Sequence, residues 1–269
     1  MKYHTSPTTS QTNLYNDSSI YRSTSPLPPP ATTYCLSATT KSYKYLRKIV
    51  KFDQMDFEFA MWQMIYLFIS PQKLYRNFSY RKQTKSQFAR DDPAFLVLLI
   101  LCLFVTSIGF TWTLNLTFGQ TLYCIAYILI VDFILAGIAM TTFTWLLANR
   151  YLRQNPNEAD VEWGYSFDVH MNAFFPPLVL LHFVQLIFFN SVINSEYFFS
   201  RLFGNTIWLI AILYYVYITF LGFNCIPFLK NTRIILAPIP VVILFYVMTL
   251  IIGWNITMSF VNFYHYRVL

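Results

Sequence analysis

Hydrophobic residues in this chain are gathered into five long runs that are separated by short polar segments. The runs cover residues 94–116, 121–147, 174–193, 206–228 and 234–259. Each is long enough to cross about 30 Å of hydrocarbon as an α-helix, which takes about 20 residues. Pro238, Pro240 and Gly253 indicate a kink in the fifth helix. The pattern therefore predicts an all-α, polytopic membrane protein with about five transmembrane helices.

The third run begins at a sharp change from polar to apolar sequence, VEWGYSFDVHMNAFFPPLVLLHFVQ, at residues 161–185. Asp168 and His170 precede the change, and a proline pair at Pro176 marks it. Proline suits the first turn of a helix, and the residue before a proline is disfavoured in helical conformation. We therefore predict that the third transmembrane helix starts near this pair, with residues 148–173 as a loop in water.

A sixth apolar stretch, DFEFAMWQMIYLFIS at residues 56–70, is too short to span a bilayer. Asp56, Gln63 and Ser70 recur every seven residues and leave one narrow polar seam on a helix. This pattern predicts an amphipathic helix that lies in the membrane interface and is ended by Pro71. The alternative interpretation is a helix that docks against the transmembrane bundle.

The chain before the first span divides into two segments of different composition. Residues 1–40 are rich in Ser, Thr and Pro and cannot bury enough apolar surface to fold, so we predict a disordered tail. Residues 41–93 form a basic cytosolic segment that includes the interfacial helix, and residues 94–269 form the transmembrane domain. Basic residues beside a membrane attract anionic lipid by about 1 kcal/mol each, so membrane lipids are the favoured partner. RNA is a competing partner for the same charge, but no RNA-binding fold signature accompanies it.

The positive charge is distributed unevenly, and this asymmetry predicts the orientation in the membrane. Thirteen Lys and Arg residues precede the first span, and two more lie in each of the loops after the second and fourth spans. Only Arg201 and Arg267 fall on the other side. We therefore predict a cytosolic N-terminus and a luminal C-terminus, with Trp112 and Trp254 near the luminal boundary.

Composition supports a membrane protein and narrows the possible chemistry. The chain is 56% hydrophobic and 12% charged, whereas soluble domains have about 25% charged residues. Cys102, Cys124 and Cys225 lie in apolar runs without disulfide or zinc spacing and are predicted to pack as small hydrophobic side chains. The sequence contains no P-loop, GxSxG elbow or HExxH motif. We expect no cofactor, no metal site and no enzymatic activity.

Three polar residues at membrane depth form the candidate site within the bundle. Asp132 lies near the middle of the second span, where an ionisable group is costly. His182 and Gln185 are three residues apart on the third span, so both can face the interior of the bundle. We predict that the three form a polar cluster that holds helices together. The competing hypothesis is a proton relay in a proton-coupled small-molecule transporter, although the five spans do not divide into two matching halves.

Three longer motifs resemble a known family. They are FEFAMWQMIYLFISPQKLYRNFSYRKQTKSQFARDDPAF, VEWGYSFDVHMNAFFPPLVLLHFVQL and GNTIWLIAILYYVYITFLGF. Over about residues 52–269 the chain closely resembles the uncoordinated-fifty (Unc-fifty) family. The resemblance implies a multi-pass protein of the Golgi membrane, with an inner nuclear membrane location also ascribed to the family. It also implies recruitment of a guanine-nucleotide exchange factor for Arf-type GTPases, assembly or surface delivery of nicotinic acetylcholine receptors, and RNA binding.

These expectations combine into a hypothesis for the cytosolic face, in which the protein is a trafficking scaffold. Four basic residues are expected to hold anionic lipid or an acidic patch on the exchange factor. They are Arg76, Arg81, Lys82 and Lys85. Three residues before the third span are expected to add specificity. They are Glu162, Trp163 and Asp168.

Overall fold

Helices form almost all of the described chain, as the hydrophobic pattern predicts. In the computed structural model they are, in chain order, α1 (Phe57–Ile69), α2 (Ala94–Thr113), α3 (Phe118–Leu152), α4 (Trp163–Ile193), α5 (Phe198–Asn224), α6 (Thr232–Ile252) and α7 (Ile256–Val268). The structure describes residues 43, 45, 47–49, 51–77, 90, 92–154, 160–195 and 197–268, with side chains as far as Arg267. Within these residues the extended structure is limited to an isolated bridge between Arg153 and Leu229.

Several sequence-based predictions fall outside the described residues. The predicted disordered tail at residues 1–40 is one of them, and the docking residues Arg81, Lys82 and Lys85 are the others. The architecture below concerns residues 44–269, which form one compact unit.

Five helices, α2 to α6, are long and apolar enough to cross a membrane, which confirms the predicted number of spans. The helix α4 lies at the centre of the bundle and packs mainly against α5 and α3. Its residues from Tyr165 to Phe175 are nearly all buried, although this segment is the most polar part of any span. A helix that is surrounded on all sides in this way is typical of a bundle core.

The predicted start of the third span at Pro176 is wrong. Helix α4 begins at Trp163 and continues through Pro176 and Pro177. Proline removes a backbone hydrogen bond, but neighbouring helices and local adjustments compensate for this loss in transmembrane helices. A π-helical segment, Val179–Val184, follows the proline pair directly. Packing on all sides therefore overrides the local preference of the Pro-Pro sequence.

The length of α4 explains how its polar half is accommodated. Its 31 residues rise about 46 Å, whereas the hydrocarbon core is about 30 Å thick, so roughly ten residues extend beyond it. The buried residues Asp168, His170 and Asn172 lie in the first half of the helix, whereas His182 and Gln185 lie in the second half. Helix α1 packs against α4 and against α2. The polar half of α4 is thus covered by protein, and the predicted loop at residues 148–173 is helical over residues 163–173.

Helix α1 is held against the bundle, as the alternative interpretation predicts. It begins after Asp56, whose carboxylate accepts a hydrogen bond from Phe59 N at 2.9 Å, and it ends at Ile69 before Pro71. Its inner face buries Ala60, Met64 and Leu67 together with Gln63.

The outer face of α1 is apolar, opposite to the arrangement that its polar seam suggested. Gln63, the centre of that seam, is only 3% exposed and faces the bundle. Met61, Trp62, Ile65 and Ile69 are exposed along one side of the helix instead. Met61, Ile65 and Ile69 lie about one helical turn apart, with Trp62 beside Met61. These four side chains, named here the outer stripe, form an apolar surface that begins next to the exposed Glu58.

The two ends of the bundle differ in character. The basic end carries Arg76, Arg150, Arg153, Lys230 and Arg233 and includes the start of α4. The opposite end, named here the tryptophan end, carries Trp112 and Trp254, which are 82% and 44% exposed. Which end faces the cytosol stays a prediction from the charge distribution.

The predicted single span at residues 234–259 is also wrong, because the helix stops at a glycine. Gly253 adopts φ +78°, a left-handed conformation that ends α6. The chain then reverses, and α7 runs back along α5 and α3. Asn205 of α5 fixes this reversal: it donates to Trp254 O at 2.8 Å and accepts from Ile256 N at 3.0 Å.

Candidate functional site

Of the three predicted intramembrane residues, Asp132 and Gln185 each bond to the C-terminal helix α7. The Tyr264 hydroxyl donates a hydrogen bond to Asp132 Oδ2, and Gln185 Nε2 donates to the Thr257 hydroxyl. The structure therefore joins α3 and α4 through residues of α7, and it places no direct hydrogen bond among the three predicted residues. Helix-to-helix bonds of this kind are what the structural hypothesis for the cluster predicts.

Two of the cluster residues lie in unusual helical segments. Asp132 is within the π-helical segment Ile128–Leu135, and His182 is within Val179–Val184, which is also π-helical. A π segment inserts an extra residue into a turn, and such segments are frequent at functional sites. Gln185 begins the next α-helical turn and is 5% exposed.

A cavity of about 100 Å³ lies beside the cluster, named here the α4–α7 cavity. It is bounded by residues of α2, α3, α4, α5 and α7. Its lining includes Phe110, His182, Gln185, Trp208, Phe260 and Tyr264. The indole ring of Trp208 stacks on Phe260 with ring centroids 4.5 Å apart, so aromatic rings form much of the wall. Folding of α7 back onto the bundle is what encloses this space.

A second polar network lies at the basic end, around Asp168 and Asn172 of α4. The Arg90 backbone N–H donates to Asp168 Oδ2 at 2.5 Å, and Arg90 Nη2 donates to Asn172 Oδ1 at 2.5 Å. Asn172 Nδ2 in turn donates to the Tyr75 hydroxyl at 3.1 Å. The guanidinium of Arg90 also lies 4.4 Å from the centre of the Phe95 ring, a favourable cation–π distance.

This network ties the N-terminal segments to the central helix. Tyr75 and Arg90 lie before the first span, whereas Asp168 and Asn172 belong to the third. Burial raises the pKa of the Tyr75 phenol well above its ordinary value of 10, so the group is neutral at cellular pH. A neutral phenol can act as both hydrogen-bond donor and acceptor. Asp168 and Asn172 of α4 are thus bound within the protein and do not face water.

His170 has a structural environment as well. Its Nδ1 lies 2.8 Å from the Tyr215 hydroxyl of α5, and Phe174 packs beside the ring. On the other side, a β-carbon on Gly137 of α3 would lie 3.1 Å from His170 Nε2. The glycine therefore allows α3 to approach the imidazole closely.

The predicted docking residues are distributed between surface and interior. Arg76 and Glu162 are exposed at the basic end, and Trp163 is 39% exposed while its indole N–H donates to Thr142 at 3.2 Å. Asp168 is 8% exposed and holds Arg90. The surface of the basic end thus includes Arg76, Glu162 and Trp163, and Asp168 lies beneath it.

Within the described ranges, no group of three His, Cys, Asp or Glu side chains is placed to hold a metal ion. Cys102, Cys124 and Cys225 are free thiols, as their spacing predicted.

Sequence comparison identifies the family. A family model described as UNC-50 matches residues 45–265, which is most of the chain. The chain belongs to the UNC-50 family. This result confirms the resemblance drawn from the three motifs, and the Ser/Thr/Pro-rich residues 1–40 lie outside the match.

Curated relatives of this UNC-50 family member cover nearly its whole length. Protein unc-50 homolog of Drosophila melanogaster is 63% identical over 270 residues, covering 100% of this chain and 98% of the relative. Protein unc-50 homolog A of Xenopus laevis is 54% identical and the Homo sapiens homolog 53% identical, each over 233 residues, 86% of this chain and 90% of the relative. No solved structure matches the chain.

Several residues of these two sites were not found from the sequence. A single span over residues 234–259 does not point to Tyr264 or Thr257, because it places Tyr264 beyond the bundle and Thr257 at the end of the span. The left-handed glycine at Gly253 is the signal that could have separated α7 from α6. Arg90 and Tyr75 carried no local signal, because each is an ordinary residue of a basic, aromatic segment.

Proposed function

We propose that this protein is a trafficking scaffold of the Golgi membrane. In this proposal its basic end recruits a guanine-nucleotide exchange factor for Arf-type GTPases, and the protein supports assembly or surface delivery of nicotinic acetylcholine receptor subunits. Membership of the UNC-50 family over residues 45–265 supports the proposal, because the family resemblance implies these roles.

The outer stripe of α1 is the observation that carries the proposal. Met61, Trp62, Ile65 and Ile69 are 55%, 37%, 54% and 74% exposed, although the inner face of the same helix is fully packed. A rigidly held helix with an exposed apolar side is suited to partial insertion into the headgroup region or to contact with a partner. The stripe lies on a segment that is anchored to the bundle, so a docked partner would be held at the membrane.

Charged side chains of both signs lie next to the stripe. Lys51 and Lys73 flank α1 in sequence and are exposed, and so are Asp53, Asp56 and Glu58. Attraction to anionic lipid, about 1 kcal/mol for each basic residue, is therefore assigned in this proposal to Arg76 and the basic residues that follow it. Asp168 contributes indirectly in this proposal, because its bond to Arg90 fixes the residue that ends the basic segment. Glu162 and Trp163 at the start of α4 offer additional contacts on the same end of the bundle.

Charge reversal of the four proposed docking residues tests the proposal in cells. The variant is Arg76→Glu, Arg81→Glu, Lys82→Glu and Lys85→Glu. We expect the amount of exchange factor on Golgi membranes to fall by at least tenfold, since the loss of four attractions of about 1 kcal/mol each exceeds the roughly 1.4 kcal/mol that a tenfold change in affinity requires. The measurement is quantitative imaging of the exchange factor together with carbonate extraction, which shows that the variant is still inserted.

A matched control uses two basic residues of another loop at the same end. Lys230→Glu with Arg233→Glu changes exposed charges between α5 and α6, outside the proposed docking set. Recruitment should be largely retained in this control. Equal recruitment by wild type and by the fourfold variant, at equal abundance, would rule out the assigned docking role.

A further inference from the structure

The α4–α7 cavity has an uncharged lining, which restricts what it can bind. No Lys, Arg, Asp or Glu is among its lining residues in the described part of the chain. Its volume of about 100 Å³ exceeds the space that one water needs and approaches that of an engineered cavity, about 150 Å³, that holds benzene. Phe260 lines the cavity and is 44% exposed, so the space reaches the outer surface of the bundle at membrane depth. A neutral, largely apolar molecule from the bilayer fits these conditions.

Polar groups in and around the cavity have hydrogen-bonding capacity that the described residues do not use. The His182 ring makes no hydrogen bond to any of them, and Gln185 bonds only to Thr257, through its amide nitrogen. The indole Nε1–H of Trp208 is buried without a partner among the described residues. Of these polar atoms only Trp208 Nε1 is fully buried without a partner among the described residues, and a ligand that pairs with such a group removes the cost of leaving it unmet.

His182 and Gln185 together match a hydroxyl group. A neutral imidazole offers one donor and one acceptor, and the free carbonyl of the Gln185 amide offers an acceptor. A hydroxyl can donate to the Gln185 carbonyl while it accepts from the His182 N–H. Both side chains are three residues apart on α4, so a single group can reach both.

We propose that the α4–α7 cavity binds the hydroxyl-bearing ring of a sterol taken from the surrounding bilayer. Trp208 and Phe260 stack on each other and both line the cavity, and an aromatic wall of this kind suits a rigid apolar ring system. A rigid ligand also loses less conformational freedom on binding than a flexible acyl chain does. The cavity has room for about one ring, and the rest of the molecule lies at the lipid-facing surface of the bundle.

Photolabelling of the full-length protein in membranes tests this site without any mutation. The probe is a photoreactive, clickable sterol with a free 3β-hydroxyl, and the competitors are cholesterol, its 3α-hydroxyl epimer and diacylglycerol. We expect saturable labelling of peptides from α4 and α7. Cholesterol should compete about three- to tenfold better than the epimer, the effect of about one correctly placed hydrogen bond.

Two variants with a matched control locate the site. His182→Leu should reduce labelling about three- to tenfold, and Val261→Trp, which fills the cavity from α7, should block it. His265→Leu is the control, because His265 is exposed and does not line the cavity. Thermal unfolding in detergent identifies any variant that fails to fold, and competition in the wild type still decides the question.

Three results would overturn the proposal. Equal competition by both epimers would remove the role of the hydroxyl. Equal competition by diacylglycerol would show that the site takes an acyl chain. Absence of saturable labelling would show a cavity that holds only water. None of these results bears on recruitment at the basic end, so failure here is distinguishable from failure of the proposed function.

Discussion

Gly222 of α5 packs directly against Val169 of the central helix, and Gly222→Ala is the most direct test of this packing. A β-carbon at residue 222 would lie 2.6 Å and 2.7 Å from the two methyl carbons of Val169, and 3.2 Å from its Cβ. Ordinary contact between carbon atoms is about 3.5–4.0 Å, so the overlap is roughly 1 Å at two atoms. Small residues at such positions allow transmembrane helices to approach closely.

The two helices have little freedom to relieve this overlap. Val169 is 1% exposed, and one turn earlier the Tyr165 hydroxyl donates to Gly222 O at 2.5 Å. Overpacking costs about 1–3 kcal/mol, and a clash with a buried β-branched residue belongs in the upper part of that range. Alanine recovers about 1 kcal/mol through its higher helix propensity. We therefore expect a net loss of about 1–2 kcal/mol of stability.

Thermal unfolding of the purified protein in detergent measures this effect. Gly119→Ala is the matched control, because a β-carbon there meets nothing within 4 Å, and it should not lower the midpoint. Val169→Ala removes the methyl groups that clash with a β-carbon at residue 222. The double variant Gly222→Ala with Val169→Ala should therefore lose less stability than the sum of the losses of the two single variants. A Gly222→Ala protein as stable as wild type, or strictly additive effects, would refute the packing described for α4 and α5.

Substitutions at three further positions test other contacts. Asn205→Leu leaves the Ile256 N–H and the Trp254 carbonyl unpaired, and it should lower the free energy of unfolding in detergent by about 1–3 kcal/mol. Asp132→Asn retains a hydrogen-bond acceptor for the Tyr264 hydroxyl and should preserve the yield of folded protein, whereas Asp132→Leu should lower that yield. If Asp132→Asn gave full yield but abolished function, the result would favour the proton-relay hypothesis. Gly253→Ala places a β-carbon at φ +78° and 2.6 Å from Arg201 Nη1, so limited proteolysis between α6 and α7 should be faster.

Membrane spans could be predicted from this sequence because a bilayer requires long apolar helices. The start of α4 could not, because its polar residues find partners far away in the chain. Asp168 and Asn172 bond to Arg90, and Asn172 also bonds to Tyr75, across separations of 78 to 97 residues. Local composition shows that these side chains need polar partners, but it cannot show whether the partner is water or protein.

The intramembrane cluster shows a similar limit. The depth of Asp132 and the shared face of His182 and Gln185 followed from helix geometry and hydropathy. Their partners Tyr264 and Thr257 did not, because α7 is short, contains several polar residues and follows an apolar run without a long break. Chain reversal at one glycine decides whether these residues lie inside or outside the bundle, and hydropathy averaged over a window does not detect a single left-handed residue.

Helix α6 is the least enclosed span, with only 11% of its apolar window buried. It is joined to α5 near the tryptophan end, where Asn205 donates to Thr249 at 3.1 Å and Thr206 and Tyr246 hydroxyls lie 3.0 Å apart. Its 21 residues rise about 31 Å, between the hydrocarbon thickness of endoplasmic reticulum, about 27 Å, and that of plasma membrane, about 32–33 Å. The first turn of α6 is held as well, because the Thr232 hydroxyl donates to Asn224 Oδ1 at 2.7 Å and Ile235 is buried. With both ends attached to α5, a bilayer of different thickness must deform around the exposed middle of α6, because the helix has little freedom to tilt.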